Sequence, residues 1–405
     1  MKFIIPTIGT RGDVQPYIAL ALGLMRRNHT VTLATHPCMR TLVESYSIPF
    51  ASIGPDIDIG YEAAKIRGRS KNWMLGFKRV MDFSFSMLEQ SYSDLLPLCH
   101  QADVVIVSHS AAGSMEADRL GLPTISVTLM PQAIPVKDPK ASWISRAVMK
   151  AAGAGMGWMM TRPLDSIRRR NGLPPMGPYG ITSPVLNLVP ISPMIEKPNP
   201  LWELRHKMTG YWFAPSPETW NPPEELVRFL DAGEPPLVVS LGAMSLSGDD
   251  TLEAARVTLQ ALELTGTRAI IQGWDDALKE FSLLPSIFKA GSIPHEWLLP
   301  RSAGIMHHGG FGTTAAGFIA GVPSIVIPHI IDQYIWGNKV ADLGVGPKPI
   351  PRAKLTVKAL TTAIEATKDN VIRMKAATLG EQIRSEPDGV EIAVNFIEEL
   401  LISSY

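Results

Sequence analysis

The stretch that decides the fold is Phe3-Ile4-Ile5-Pro6-Thr7-Ile8-Gly9-Thr10-Arg11-Gly12-Asp13-Val14-Gln15-Pro16. An unbroken apolar run leads into a turn that holds two glycines, an arginine and a carboxylate, and a helical pattern follows over Tyr17 to Arg27. Unbroken apolar runs belong to strands covered on both faces, whereas a half-exposed strand alternates. Similar runs recur at Val31 to Thr35, Ile48 to Ile53, Asp103 to Ser108 and Thr124 to Thr128. Short buried strands separated by helical segments define a parallel α/β architecture.

Working outward, the prolines crowd between Ser183 and Pro223, where they break helix and strand alike. That stretch reads as the connection between two domains. A second α/β series then begins, with strands at Leu237 to Leu241, Arg268 to Gln272, Gly304 to Met306 and Ser324 to Pro328 and a helix over Leu252 to Gly266. After Pro351 the chain turns helical and ends in an amphipathic segment, Glu391 to Leu401, whose Ile392, Phe396, Leu400 face is expected to pack on a domain surface. The expected fold is therefore α/β, with two Rossmann-like parallel-sheet domains facing each other. They occupy residues 1–200 and 224–385, joined by a linker at 201–223 and followed by a helix within 386–405.

The 405 residues are enough for two or three domains with a large core. Lysine plus arginine and aspartate plus glutamate each number 38, so the net charge is zero and no nucleic-acid partner is implied. With 45% hydrophobic and 19% charged residues, intrinsic disorder is excluded. Two cysteines, Cys38 and Cys99, rule out a disulfide framework and favour a reducing, cytoplasmic compartment. The first apolar run is too short for a signal peptide, and Ala151 to Met160 falls far short of the roughly 20 residues that span a bilayer. These readings leave room for no more than weak association with a membrane surface, and for a monomer or a homodimer.

The strongest chemical signal is His307-His308-Gly309-Gly310-Phe311-Gly312-Thr313-Thr314, set between an apolar run and a helical stretch. Glycines let backbone amides approach a ligand, and a helix N-terminus carries partial positive charge, so the segment suits a diphosphate. It matches neither the GxGxxG nor the GxxxxGK[ST] pattern, which disfavours dinucleotide and P-loop readings. Pro328-His329-Ile330-Ile331-Asp332-Gln333 follows the next strand, at the edge where α/β sheets bind ligands. There a carboxylate beside a carboxamide suits a polyhydroxyl ligand, while Asp332 could equally cap a helix starting near Tyr334. In the first turn, Asp13 is the candidate general base. Its alternative is again a helix cap, with Arg11 as partner.

Five blocks in register carry a family resemblance: GTRGDVQP at 9–16, TGYWF at 209–213, PHEWLLP at 294–300, HHGGFGTTAAG at 307–317, and DQYIWG with LGVGP across 332–347. Together they resemble the sterol glucosyltransferase-like branch of the nucleotide-sugar-dependent family 1 glycosyltransferases, with the antibiotic and rhamnolipid glycosyltransferases close by. The resemblance implies a GT-B fold whose first domain binds mainly the acceptor and whose second binds the sugar nucleotide, as co-substrate rather than cofactor.

It also implies that His308 and the amides of Gly310, Phe311, Gly312 and Thr313 meet the diphosphate, that Asp332 and Gln333 meet the sugar hydroxyls, and that Ile293 to His295 meets the nucleobase. Thr10, Arg11 and Gly12 fall where the first turn would meet the donor phosphates. Two departures stand out. Relatives often carry a serine in the first turn of the second domain, where this chain reads Leu241-Gly242-Ala243-Met244-Ser245. Ser245 is the expected substitute there, beside Gly242. Plant-type members stack the base on a tryptophan where this chain has Ser292, which makes Trp274 the expected substitute.

The implied reaction inverts the anomeric carbon through an oxocarbenium-like transition state, with Asp13 taking the acceptor proton. His109, just after the Asp103 to Ser108 run, reads either as a structural residue or as an assistant to Asp13. The implied donor is a UDP-linked hexose, most simply glucose. No metal is expected: oriented amides answer the developing charge, and the Asp56-Ile57-Asp58 sequence lacks a sugar-nucleotide context. The 18 methionines, many in the first half, combine with Phe85, Trp143, Met156 and Trp158 to suggest a pliable apolar cleft for a lipophilic hydroxyl compound. Two alternatives stay open, a UDP-sugar epimerase-like enzyme of the same fold and an inactive sugar-nucleotide-binding protein.

Overall fold

The computed structural model describes residues 1–68, 73–134, 136, 142, 161–176, 180, 182–216, 220–241 and 249–403. The chain forms two compact units. The first takes in Met1–Asp58, Lys78–Ala214 and Pro387–Tyr405, the second Ile59–Phe77 and Pro215–Glu386.

The first unit is built on seven strands: β1 (Lys2–Pro6), β2 (Thr30–Thr35), β3 (Phe50–Ser52), β4 (Val104–Val107), β5 (Thr124–Val127), β6 (Leu186–Val189) and β7 (His206–Met208). They lie in the order β3-β2-β1-β4-β5-β6-β7, and every pairing is parallel. Ile4, Ile5, Val105, Ile106 and Leu188 are fully buried or nearly so, as the unbroken apolar runs require.

β6 and β7 lie inside the proline-crowded stretch that reads, by sequence, as a plain connection. Pro190 falls immediately after β6 and Pro184 two residues before it, so no ladder amide is lost to them. The helix Arg11–Arg26 also starts six residues before its expected position at Tyr17. Thr10 is its N-cap, and the Asp13 side chain closes a capping box back onto the Thr10 amide.

The last helix, Gly389–Ser403, packs on Arg11–Arg26 and on β6. Its buried face is Val390, Ala393, Val394 and Ile397, which corrects the expected Ile392, Phe396, Leu400 stripe by part of a turn. Close approach explains the choice: a Cβ at Gly23 would stand 2.3 Å from Val390 Cγ1, so glycine is what lets the two helices meet there. Exposed pairs, Arg26 with Glu391 at 2.9 Å and Arg27 with Glu398 at 3.3 Å, flank this contact and add little stability.

The second unit carries β8 (Leu237–Ser240), β9 (Ala269–Gln272), β10 (Ile287–Ala290), β11 (Gly304–His307) and β12 (Ser324–Val326). Their order is β10-β9-β8-β11-β12, again parallel throughout. On one face Val239, Ile271, Met306 and Ile325 pack with the helices Asp249–Leu264 and Val357–Thr367. No helix among the described residues is long and apolar enough to cross a membrane.

Candidate active site

In an open parallel sheet, ligands gather outside the carboxyl ends of the strands where the winding direction reverses. In the first unit that point lies between β1 and β4, because β1 leads outward to β2 and β4 leads the other way to β5. Asp13 follows β1 and His109 follows β4. Their side chains meet, with Asp13 Oδ1 3.1 Å from His109 Nε2.

The other carboxylate oxygen, Oδ2, accepts from the Thr10 amide at 2.6 Å and from the Thr10 hydroxyl at 2.9 Å. Burial pushes the Asp13 carboxyl up, but the hydrogen bond from His109, helped by the two Thr10 donors, outweighs it and leaves the group below its ordinary value. It is therefore an anion at neutral pH. With 34% of its side chain exposed, Asp13 keeps lone pairs open to an incoming group. The cap and base readings of Asp13 are thus compatible. Arg11 and Gly12 stand exposed in the same first turn.

Gly9 makes room for this carboxylate. Its φ of 153° lies in a region side chains rarely adopt, and a Cβ there would stand 2.4 Å from Asp13 Oδ2. Gly9→Ala is expected to displace Asp13 and cost roughly 1–3 kcal/mol in backbone strain, so turnover should collapse while circular dichroism still reports a folded chain. Unchanged turnover would show that the carboxylate position is not what limits the reaction.

In the second unit the reversal falls between β8 and β11. The helix Phe311–Ala320 opens there with Gly310 as N-cap. Its first-turn residues Phe311, Gly312 and Thr313 are only partly buried, and the first amides of a helix have no intrahelical acceptor. Beneath them His307 is fully buried and accepts the Gly309 amide on Nδ1 at 3.1 Å. Burial drives its pKa well down, helped by the nearby His308 and His295, so His307 is a neutral strut for the loop. His308 folds back over Gly310, where a Cβ would come within 2.4 Å of its Nε2.

Beside this loop starts the helix Ile331–Asp342. The structure corrects two expectations here. The helix begins three residues before Tyr334, and the side chain that closes its capping box is that of Gln333, with Ile330 as N-cap. Gln333 Oε1 accepts the amides of His329 at 2.7 Å and Ile330 at 3.3 Å, and the residue is 2% exposed. The carboxamide oxygen is committed to holding the loop, and Asp332 beside it is partly buried.

At the ends of β9 and β10, Gln272 Nε2 donates to the carbonyls of Gly291 and Ile293, each at 3.2 Å, and its Oε1 lies 3.3 Å from His295 Nε2. This clamp fixes the segment Ile293 to His295. The Ile293 side chain is buried in a core cluster, so only its main chain could meet a base. Trp274 is 7% exposed and packs in the core with Leu241 and Leu278, which corrects the expectation of an open stacking platform. Phe85 likewise packs against Met115, Ile167 and Leu173 rather than standing free for an acceptor. Gly242, Ser245, Trp143, Met156 and Trp158 lie outside the described residues. Three residues to which the sequence reading gave no role, Tyr17, Gln272 and His307, hold the site. Of these His307 opened the glycine-rich motif and Tyr17 lies one helical turn beyond Asp13, while Gln272 carried no signal.

Residues 3–126 match the glycosyltransferase family 28 N-terminal domain, and residues 256–400 match the erythromycin biosynthesis protein CIII-like C-terminal domain. The chain has the GT-B fold, as its likeness to solved glycosyltransferase structures shows. Among curated relatives it is 29% identical to sterol 3-beta-glucosyltransferase UGT80B1 of Arabidopsis thaliana, over 98% of this chain and 67% of that protein. It is 32% identical to the sterol 3-beta-glucosyltransferase of Komagataella phaffii, over 97% of this chain and 34% of that one. The chain thus spans between one third and two thirds of the length of these two relatives. In structure it is similar to the kitacinnamycin glycotransferase, with a TM-score of 0.70 at 19% identity over 98% of both chains. It is also similar to the spinosyn rhamnosyltransferase SpnG complexed with thymidine diphosphate, with a TM-score of 0.67 at 19% identity over 98% of this chain and 99% of that one.

Proposed function

We propose that the chain is an inverting glycosyltransferase that moves glucose from UDP-glucose to a hydroxyl of a sterol or similarly lipophilic acceptor, without a metal. The first unit takes the acceptor and the second the nucleotide sugar. The observation that carries the reading is the anionic, partly exposed Asp13 held by His109 at the reversal point of the first sheet. Sterol and glucose are supported by the names of relatives matched over 97–98% of this chain, and a nucleoside diphosphate by SpnG's complex with thymidine diphosphate.

The acceptor oxygen attacks the anomeric carbon as the bond to the diphosphate oxygen breaks, and its proton passes to Asp13. Charge growing on the leaving diphosphate is met by His308 and by the first amides of the helix Phe311–Ala320, whose N-terminus adds its dipole. Asp332, in the first turn of its own helix, accepts from sugar hydroxyls. Cys38 and Cys99 are both free thiols, in keeping with a cytoplasmic setting.

The test is to incubate the protein with UDP-glucose, dTDP-glucose and UDP-rhamnose against sterols and other lipophilic alcohols, and to follow glycosides by mass spectrometry. Transfer is expected from UDP-glucose with inverted configuration and in the presence of EDTA. No product from any donor would overturn the enzyme reading.

The donor loop has its own test. Gly309 has φ 90°, and a Cβ there would stand 2.7 Å from Val326 Cγ1 and 2.8 Å from the Gln333 carbonyl oxygen. Gly309→Ala should therefore push the cradle out of shape and weaken UDP binding, read by calorimetry, by about tenfold or more, equivalent to about 1.4 kcal/mol. Wild-type affinity in that variant would remove the loop from the diphosphate.

A further inference from the structure

We propose that Tyr17 is the positioning residue of the Asp13–His109 pair, its hydroxyl fixing His109 in the tautomer that donates to Asp13. The inference deepens the glycosyltransferase reading and rests on it.

Tyr17 is fully buried, one helical turn beyond Asp13. Its hydroxyl oxygen accepts the backbone amide of His109 at 2.9 Å and lies 3.0 Å from Nδ1 of the same residue. The two rings stack with centroids 5.9 Å apart and an interplanar angle of 7°. Two contacts to one residue from one oxygen, with a stacked ring behind them, leave the imidazole a single orientation.

The protons then follow. Asp13 is an anion that only accepts: Oδ2 takes both Thr10 donors, so Oδ1 can bond His109 only if Nε2 carries a hydrogen. In a neutral imidazole that leaves Nδ1 as an acceptor. Tyr17 supplies what it needs, since its oxygen already receives the His109 amide and its own hydrogen remains to be given. Burial pushes the phenol far up, with the Asp13 charge adding to it and the His109 amide and Ser108 opposing, so Tyr17 keeps that hydrogen at any working pH. Ser108, itself bonded to Ser110 at 2.7 Å, is the other polar group at the phenol. The chain of donation runs Tyr17 to His109 to Asp13. It leaves Asp13 as the single anion of the cluster and so the one group able to receive an acceptor proton.

The column extends one residue further. Trp212 packs edge-on to Tyr17 at 6.5 Å and 75°, and its Nε1 donates to Thr209 Oγ1 and to the Gly389 carbonyl. These contacts hold the Tyr17 ring without using its hydroxyl, so Tyr17→Phe should keep the packing and lose only the hydrogen bonds.

The experiment uses the full chain labelled with 15N-histidine, with the His109 signals assigned by their loss in His109→Gln. In the wild type at neutral pH, Nε2 of His109 should be protonated and Nδ1 bare. In Tyr17→Phe the two tautomers should mix. The kcat for glucosyl transfer should fall roughly tenfold, the scale on which outer partners of a functional histidine act, with the donor KM unchanged. A wild-type His109 protonated on Nδ1 would overturn the proposal, as would a variant with unchanged tautomer and kcat. If the variant does not fold, the wild-type tautomer decides alone. If the wild type transfers no sugar, the glycosyltransferase reading fails while the tautomer still reports on Tyr17.

Discussion

Asp13→Asn lowers glucosyl transfer by about 10²- to 10⁴-fold, the range that a positioned general base contributes, and leaves UDP binding intact. The substitution is chosen because it separates two roles that one side chain carries. As a cap, Asp13 accepts from the Thr10 amide and hydroxyl, and an asparagine carbonyl can still do so. As a base it must take up a proton, which an amide at neutral pH does not. An alanine would confuse these effects, since loss of a helix-terminal partner alone costs about 1 kcal/mol. The measurement is single-turnover transfer under saturating donor, beside calorimetric titration with UDP. Turnover within a few-fold of wild type would remove Asp13 from the base role. Loss of folding instead would mean that the cap outweighs the chemistry.

Glu116→Gln stabilises the chain at pH values above neutrality by about 3 kcal/mol, and the advantage fades as the pH falls toward 4.5. Glu116 lies in the first turn of the helix Ser114–Leu120, is 1% exposed, and its Oε2 has no hydrogen-bond partner among the described residues. Burial pushes its carboxyl up to about 7, with main-chain bonds at Glu116 and Gly113 offsetting part of that push.

The sign follows from linkage. The folded pKa is raised above the unfolded value of 4.5, so the native chain binds one more proton between the two, and stability is lost as the pH rises through about 7. Above that point the native state holds a buried charge. A glutamine keeps the shape and never ionises, so the two unfolding curves should converge in acid and separate in base. Parallel urea titrations at about pH 5 and pH 8.5 read the difference directly, and a difference that does not change with pH would show that Glu116 does not titrate in the folded state.

Much of this molecule follows from local pattern. Apolar runs at Phe3 to Pro6, Val104 to Val107 and Leu237 to Val239 give strands because a strand with both faces covered reads as a continuous rather than an alternating apolar run. Glycines at 309 and 310 announce close backbone approach, and Asp13 announces itself by following the first strand. Pattern fails where a residue's partner is distant. Proline density between Ser183 and Pro223 conceals β6 and β7, since composition does not say whether a proline falls inside a ladder or just beyond it. The face of the last helix is misread because Gly23, far away in sequence, selects it.

The sequence by itself determined the two-unit α/β plan, the glycine loop after β11 and the identity of the anion in the first turn, since each rests on hydrophobic period, backbone freedom or charge within a few residues. Only the tertiary structure decided what those residues do together. It turned Gln333 into a cap and Trp274 into core. It also joined His109 to Asp13 and to Tyr17 across 96 and 92 positions of chain. Hydrogen bonds depend on distances of a few ångströms in space, and those are set by how β1 and β4 lie side by side.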